Sequence, residues 1–222
     1  MHVLTLFSGT HSVGKALQEI GWGEESLDWV HEATYQLDVN DWDYKAFTPG
    51  HFDIIWASPD CSQFSKARWN LQNRAPRDFG TADTCVLKTI EIIEYLKPKY
   101  WFIENSETGL LKQRHYMHSR PYSVVDYCMY GFNFRKRTAI WSNICPELDT
   151  VLMRCNKQCG AFIDGKHIAT INGSFCGPRR GMIPHQLLLD IFSKVQQLED
   201  GGGEIQMHVQ QTVLPRRRSA SH

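Results

Sequence analysis

Residues 52–57, Phe-Asp-Ile-Ile-Trp-Ala, make a short apolar, β-branched run that stops abruptly at Ser58-Pro59. Such a run is too short for a helix and reads as a strand covered on both faces, as the strands of parallel sheets are. Proline donates no hydrogen bond to a ladder, so the strand ends there and the chain turns. Cys61 follows two residues later. Its thiol is therefore expected on a loop at the carboxyl edge of a sheet, where open α/β folds place their chemistry. Taken alone, a cysteine is as well read as a small buried apolar residue.

The flanking chain repeats this alternation. Val3–Phe7 reads as a first strand and Ser8-Gly9-Thr10 as a tight turn, with a helix from Ser12 or Val13 to Ile20 stopped by Gly21. Leu27–Val30 reads as a second strand. From Asp83 as N-cap, Val86, Ile90, Ile93 and Leu96 recur at helical spacing until Pro98, and Tyr100–Ile103 is a further strand running into Glu104-Asn105. Val124–Asp126 and Thr138–Trp141, joined through Tyr130-Gly131-Phe132, read as two more strands in a hairpin. Alternating strands and helices predict an α/β fold, Rossmann-like, with a mostly parallel doubly wound sheet. The 222 residues, 42% of them hydrophobic, suit one such domain with a small appendage.

The formal net charge of zero is unevenly spread. Residues 1–60 hold ten acids against Lys15 and Lys45, so the remainder carries an equal excess of base. An acidic half suits a cationic cofactor and a basic half suits a phosphate backbone; the plainer alternative is ordinary surface scatter. There is no run of 18 apolar residues and no basic stretch leading into an apolar one near Met1. A soluble, intracellular protein without a membrane span is expected, with cytoplasm and nucleus left open. The seven unevenly spaced cysteines are then expected as reduced thiols.

Thiol, carboxyl and guanidinium groups thus each follow or flank an expected strand, at Cys61, Glu104 and Asn133-Phe134-Arg135-Lys136-Arg137. Together with Phe7-Ser8-Gly9 after the opening strand and Phe64-Ser65 behind Ser58-Pro59-Asp60-Cys61, these segments resemble the ordered motifs of the cytosine-5 DNA methyltransferases, most closely the short phage and large-virus type. The resemblance spans about residues 3–142, with a weaker echo at Gly181–Pro184.

What it implies is specific. Cys61 would add to carbon 6 of a flipped-out cytosine, Glu104 would hold a proton toward ring nitrogen 3, and Arg137 beside Arg135 would bind the carbonyl oxygen at position 2. S-adenosylmethionine would lie on Phe7, Ser8, Gly9 and Thr10 and on Ser58 and Pro59, with Asp28 on the ribose hydroxyls and Asp38 on the adenine amino group. Double-stranded DNA is the implied partner of a monomeric enzyme, contacted through Ser65, Lys66 and Arg68 and through Arg179 and Arg180. A tRNA-directed enzyme and a catalytically silent nucleic-acid binder are the rival readings. Residues 70–80 would form a loop able to close over the base.

The chain departs from the family pattern at His11 (a second glycine), Asp60 (a second proline) and Asn133 (glutamine), and it lacks the usual Gly-Asn pair in the last motif. An acid at position 60 would raise the pKa of Cys61 unless it points away.

Past Trp141 the composition changes. Cys145, Cys155, Cys159 and His167 lie within 23 residues and allow a Cys3His zinc site, with Cys176 a rival ligand and unconnected thiols the alternative. The expected organisation is a catalytic domain over residues 1–142, a small recognition insert over 143–178, a helix over 179–200 returning to the catalytic domain, and a flexible tail over 201–222. Arg216, Arg217 and Arg218 in that tail read as nucleic-acid contacts or as a solubilising end.

Overall fold

The computed structural model describes residues 1–66, 76–169 and 180–201. Its centre is a six-stranded sheet of β1 (His2–Leu6), β2 (Gly23–Leu27), β3 (Ile54–Ala57), β4 (Tyr100–Ser106), β5 (Tyr122–Asp126) and β6 (Arg137–Ser142), in the order β2-β1-β3-β4-β6-β5. The first four strands in that order are parallel, and β6 runs antiparallel to both β4 and β5. The fold is thus α/β around a mostly parallel sheet, with the last two strands antiparallel, as expected.

Side-chain alternation sends successive residues to opposite layers. Val3, Ile54, Trp56, Phe102 and Ile140 face α1 (Ser12–Glu19) and α4 (His185–Asp200), whereas Leu4, Ile55, Ala57, Ile103, Ala139 and Trp141 face α2 (Phe79–Leu96). Every residue of β3 is fully buried, which fits its run of apolar residues on both faces. Each large side chain so covered contributes about 1.5–3 kcal/mol.

Several boundaries differ from the sequence expectation. α2 begins at Phe79, capped by Asp78, whose carboxylate accepts from Thr81 N at 3.0 Å. Asp83 instead lies inside the helix, tied to Arg114 and to the Tyr116 hydroxyl. Residues 76–80 of the expected loop therefore lead into a helix, and residues 67–75 lie outside the described residues. Asp78→Ala should lower the midpoint of urea unfolding, because it strips this cap while removing no core atom; an unchanged midpoint would show that the cap contributes nothing. No strand forms over Gln36–Val39, where Asp38 closes a turn by accepting from Asn40 N at 2.8 Å. Beyond β6, α3 (Cys145–Leu148) packs against β5, β6 and α4, and a two-stranded hairpin follows, β7 (Phe162–Ile163) and β8 (Lys166–His167). Among the described residues no helix is long and apolar enough to cross a membrane.

Candidate active site and cofactor cleft

The loops after β1, β3 and β4 meet at one edge of the sheet. Ser58 N donates to Leu6 O at 3.2 Å, and the Ser58 hydroxyl accepts from Trp56 Nε1 at 3.0 Å. Buried Asn105 donates Nδ2 to Pro59 O at 2.9 Å, so the residue after Glu104 fixes the loop that carries Cys61. Phe64 N closes a turn onto Cys61 O at 3.1 Å, and Leu110 N reaches Phe64 O at 2.8 Å. A Cβ at Gly109 would sit 3.0 Å from Ser106 O and 3.2 Å from Phe64 O, so this glycine is what lets the loop after β4 press against the thiol loop.

The exposed Asp60 carboxylate accepts from Ser62 N at 2.9 Å and from the Ser62 hydroxyl. The Cys61 thiol is pushed above its ordinary pKa, first by burial; Lys136 opposes this, while Glu104 and, less strongly, Asp60 add to it.

Glu104 is 6% exposed and Lys136 7%. Lys136 Nζ donates to Glu104 Oε1 at 3.2 Å, the Tyr127 hydroxyl donates to the same oxygen at 3.0 Å, and the ammonium lies 4.8 Å from the Tyr127 ring centroid. Among the described residues both hydrogen bonds of this carboxylate fall on Oε1, which leaves Oε2 for a ligand. Strand parity explains the trio. Glu104 pairs across the sheet with Ile140, and positions 136, 138 and 140 share that face.

Arg135 and Arg137 therefore face the other way, a correction to the sequence assignment. Arg135 binds the fully buried Asp126 in bidentate fashion, Nε to Oδ1 at 2.8 Å and a terminal nitrogen to Oδ2 at 3.1 Å, and Arg137 Nε stands 3.5 Å from Oδ1. Asp126 is opposite Arg137 in the β5/β6 ladder, and these guanidinium groups hold its pKa below the usual carboxylate value against burial. Lys136 is the cation that the strand presents to Glu104 and Cys61, and the alternation of Arg135, Lys136 and Arg137 was the signal for it.

The glycine turn has the strained geometry that ligand loops tolerate. Phe7, Gly9 and His11 all have positive φ, at 60°, 49° and 56°. His11 thus adopts the left-handed conformation itself where a glycine was expected. Gly14 serves another purpose: a Cβ there would come within 2.2 Å of the Glu24 carboxylate, so it permits close packing of α1 on β2. Asp28, just after β2, accepts from Gly9 N at 2.9 Å through Oδ2, and from Val30 N, His31 N and His31 Nδ1 through Oδ1. Only Oδ2 retains room for a ribose hydroxyl, so Asp28 is first the residue that pins the turn. Among the described residues the buried Ser8 hydroxyl has no hydrogen-bond partner. Thr10 bonds to Ser12, whose hydroxyl accepts from Ile183 N at 3.2 Å, and this seats the 181–183 segment on the turn.

Beside the turn lies a cleft of about 280 Å³, lined by Phe7, Leu27, Trp29, Asp38 and Pro59 among others. Its walls are largely apolar, with carboxylates at Asp38, Asp60 and Asp78. Trp29 is 69% exposed, although large aromatic side chains are usually covered. Sequence reasoning passed over it as part of a strand.

Of the expected DNA contacts, Lys66 and Arg180 are exposed, Ser65 is half-buried with its carbonyl held by Arg77 at 2.8 Å, and Arg68 and Arg179 lie outside the described residues. Cys145 is not with the other candidate metal ligands. It is buried in α3, its thiol directed at Ser142 O at 3.3 Å. Cys128 takes its place beside Cys155, Cys159 and His167. Cys176 is outside the described residues.

Comparison with known proteins adds an independent line. A frog virus 3 (isolate Goorha) protein named Probable DNA (cytosine-5)-methyltransferase is 42% identical over 155 residues, 65% of this chain and 71% of the viral one. Two solved structures share 14% identity over 64% of this chain: a prophage-encoded protein of E. coli described as a DNA modification methyltransferase (TM-score 0.47) and the S. pombe Dnmt2 methyltransferase (TM-score 0.42). The chain spans about half the length of these two, 46% and 48%. The family profile for C-5 cytosine-specific DNA methylase matches residues 27–131, the interval that carries Asp28, Cys61, Glu104 and Asn105. Matched by that profile and by a relative so similar over 71% of its length, the chain belongs to the C-5 cytosine-specific DNA methylase family.

Proposed function

We propose that the chain transfers a methyl group from S-adenosylmethionine to carbon 5 of a cytosine turned out of double-stranded DNA, through a covalent adduct at Cys61. The observation that carries this reading is the buried contact of Glu104, on the strand next to β3 and its Cys61 loop, with Lys136 and Tyr127.

The cleft fits the cofactor. Apolar walls at Phe7, Leu27 and Pro59 suit an adenine ring, the unpartnered Ser8 hydroxyl and the Asp28 Oδ2 offer polar contacts, and Asp38 and Asp60 set negative charge where a sulfonium cation would lie. When bound, the cofactor supplies an electrophilic methyl group. The exposed Trp29 is then an indole platform for the adenine. Trp29→Ala is expected to weaken S-adenosylmethionine binding in calorimetry by about ten-fold, or roughly 1.4 kcal/mol, with thermal unfolding unchanged. An unaltered affinity would remove Trp29 from the cleft's function.

Cytosine carbon 5 is weakly nucleophilic, and addition at carbon 6 overcomes this. The Cys61 sulfur bonds to carbon 6 while Glu104, through Oε2, delivers a proton to nitrogen 3, so the ring's electron pair becomes an enamine at carbon 5. Lys136 favours the thiolate and offers a donor to the carbonyl oxygen at position 2, and Tyr127 holds the carboxylate in place. After methylation, solvent water takes the carbon 5 proton, the carbon 6–sulfur bond breaks to release the Cys61 thiolate, and nitrogen 3 returns its proton to Glu104, which restores the ring. Extruding the base costs a few kcal/mol, which contacts to the phosphate backbone offset. Lys66 and Arg180 are positioned for such contacts by exposure and charge.

The test is transfer of a labelled methyl group to mixed-sequence duplex DNA and to tRNA in parallel, followed by digestion to nucleosides. The label should appear as 5-methylcytosine from DNA. Label in tRNA alone would overturn the substrate, and label in any other nucleoside would overturn the chemistry.

A further inference from the structure

We propose that Cys128, Cys155, Cys159 and His167 hold one structural zinc ion that clamps the hairpin of β7 and β8 to the chain leading through Lys136 into β6. The four donor atoms come from three separate pieces of chain: the 3-10 turn Tyr127–Tyr130 after β5, the loop around residues 155–159, and β8. All lie within 4.8 Å of one another.

Cys155, Cys159 and His167 have the spacing of a tetrahedral site. Zinc bonds of about 2.3 Å to sulfur and 2.0–2.1 Å to nitrogen put sulfurs about 3.8 Å apart and sulfur about 3.6 Å from nitrogen. Cys155 Sγ and Cys159 Sγ are 3.6 Å apart, and His167 Nε2 is 3.5 Å from the first and 3.4 Å from the second. A disulfide needs about 2.05 Å, so this is a set of thiols converging on a point and not an oxidised pair.

The surroundings suit ligands in place. Lys157, with φ 71°, turns its backbone N–H onto Cys155 Sγ at 3.3 Å, a donor that offsets thiolate charge. The Phe162 ring stands edge to face with the His167 imidazole at 5.2 Å, which fixes the ring's orientation. Cys155 N donates to Asp126 Oδ2 at 2.9 Å.

The segment also requires a staple. Its own buried apolar side chains are Cys128, Cys159 and Ala161, with Met129, Cys155 and Phe162 half-covered, far too little to order the loop and a hairpin of two-residue strands. Held there, the segment adds its edge to the catalytic strand's approach: Ala169 N bonds to Asn133 O at 3.1 Å and Ala169 bridges Phe134, two residues before Lys136. The clamp thus fixes the recognition side against the reacting side.

Elemental analysis of the full chain, purified without chelator, should find one zinc per chain. Replacement by cobalt should give the intense visible bands of a tetrahedral site and thiolate charge transfer in the near ultraviolet. Cys155→Ser and Cys128→Ser should lose the metal, while Cys145→Ser and Cys61→Ser keep it. Because the cobalt spectrum is read on the unmutated chain, misfolding of a variant leaves the proposal open to refutation. No uptake of zinc or cobalt by reduced protein, loss of the metal in Cys145→Ser with retention in Cys128→Ser, or an intact mass two hydrogens low at Cys155 and Cys159 would each overturn it. None of these readings depends on methyl transfer, so failure of the zinc site and failure of the proposed activity are separately visible.

Discussion

Incubated with S-adenosylmethionine and duplex DNA carrying 5-fluorocytosine, the unmutated chain should accumulate a covalent complex, and Cys61→Ala should form none and lose methyl transfer by at least about 10⁴-fold. Fluorine at carbon 5 cannot depart as a proton does, so elimination stalls after the methyl group arrives and the sulfur stays bound. The size of the effect follows from the absence of a substitute. Alanine leaves carbon 6 with no nucleophile, and of the other thiols Cys85 lies across the cofactor cleft while Cys128, Cys155 and Cys159 form their own cluster. DNA binding should survive, because the loop of Cys61 is fixed by the Asn105 amide and the Leu110 and Phe64 backbone bonds, which the substitution leaves in place. Mass spectrometry of the intact complex followed by peptide mapping would decide it. An adduct in Cys61→Ala, or one mapped to Cys85, would sink the assignment.

The parallel core was legible because β3 is apolar at every place and Val3–Phe7 and Tyr100–Ile103 are short, largely apolar runs. The Cys61 loop and the glycine turn were legible for the same reason, since strand ends fix where loops go, whereas β4 runs on through Glu104 to Ser106. What escaped notice depends on tertiary pairing. Asp126 sits opposite Arg137 only because β5 and β6 register that way, and this pairing draws both guanidinium groups to the far face. Cys145 and Cys128 exchange places because α3 buries the first against the sheet, while the turn after β5 brings the second to a loop nearly thirty residues on. Trp29 looked like a strand residue because the hydrophobic pattern does not register that β2 stops at Leu27. The N-cap of α2 was misplaced because Asp78 and Asp83 are equally good caps by composition, and the choice rests on Arg114 and Tyr116 reaching across to Asp83.

Lys136→Met should lower the rate of methyl transfer by about 10²–10³-fold while leaving cofactor affinity unchanged, and Glu104→Gln by about 10²–10⁴-fold. Methionine keeps the stem of the side chain and removes the ammonium that meets Glu104, so the loss reports charge and donor, not packing. The pH dependence separates this from a structural effect. Burial lifts the Cys61 pKa, Lys136 pulls it back and Glu104 pushes it up, so the thiolate of the free enzyme gains with rising pH. Alkylation of Cys61 by iodoacetamide should therefore speed up as pH rises, with a midpoint above that of an ordinary thiol. In Lys136→Met the midpoint should move further up and the rate at neutral pH should fall. In Glu104→Gln it should move down and alkylation should become faster, even as methyl transfer collapses for want of a proton at nitrogen 3. That opposition is the decisive feature, since damage to the loop would move both measurements together. Arg135→Met serves as the contrast: it severs the Asp126 pair and should lower stability by roughly 2–4 kcal/mol, yet leave the alkylation midpoint where it was. Were Arg135→Met to shift that midpoint and Lys136→Met not, the cation serving the thiol would be the arginine, and the face assigned to each residue of β6 and its approach would have to be exchanged.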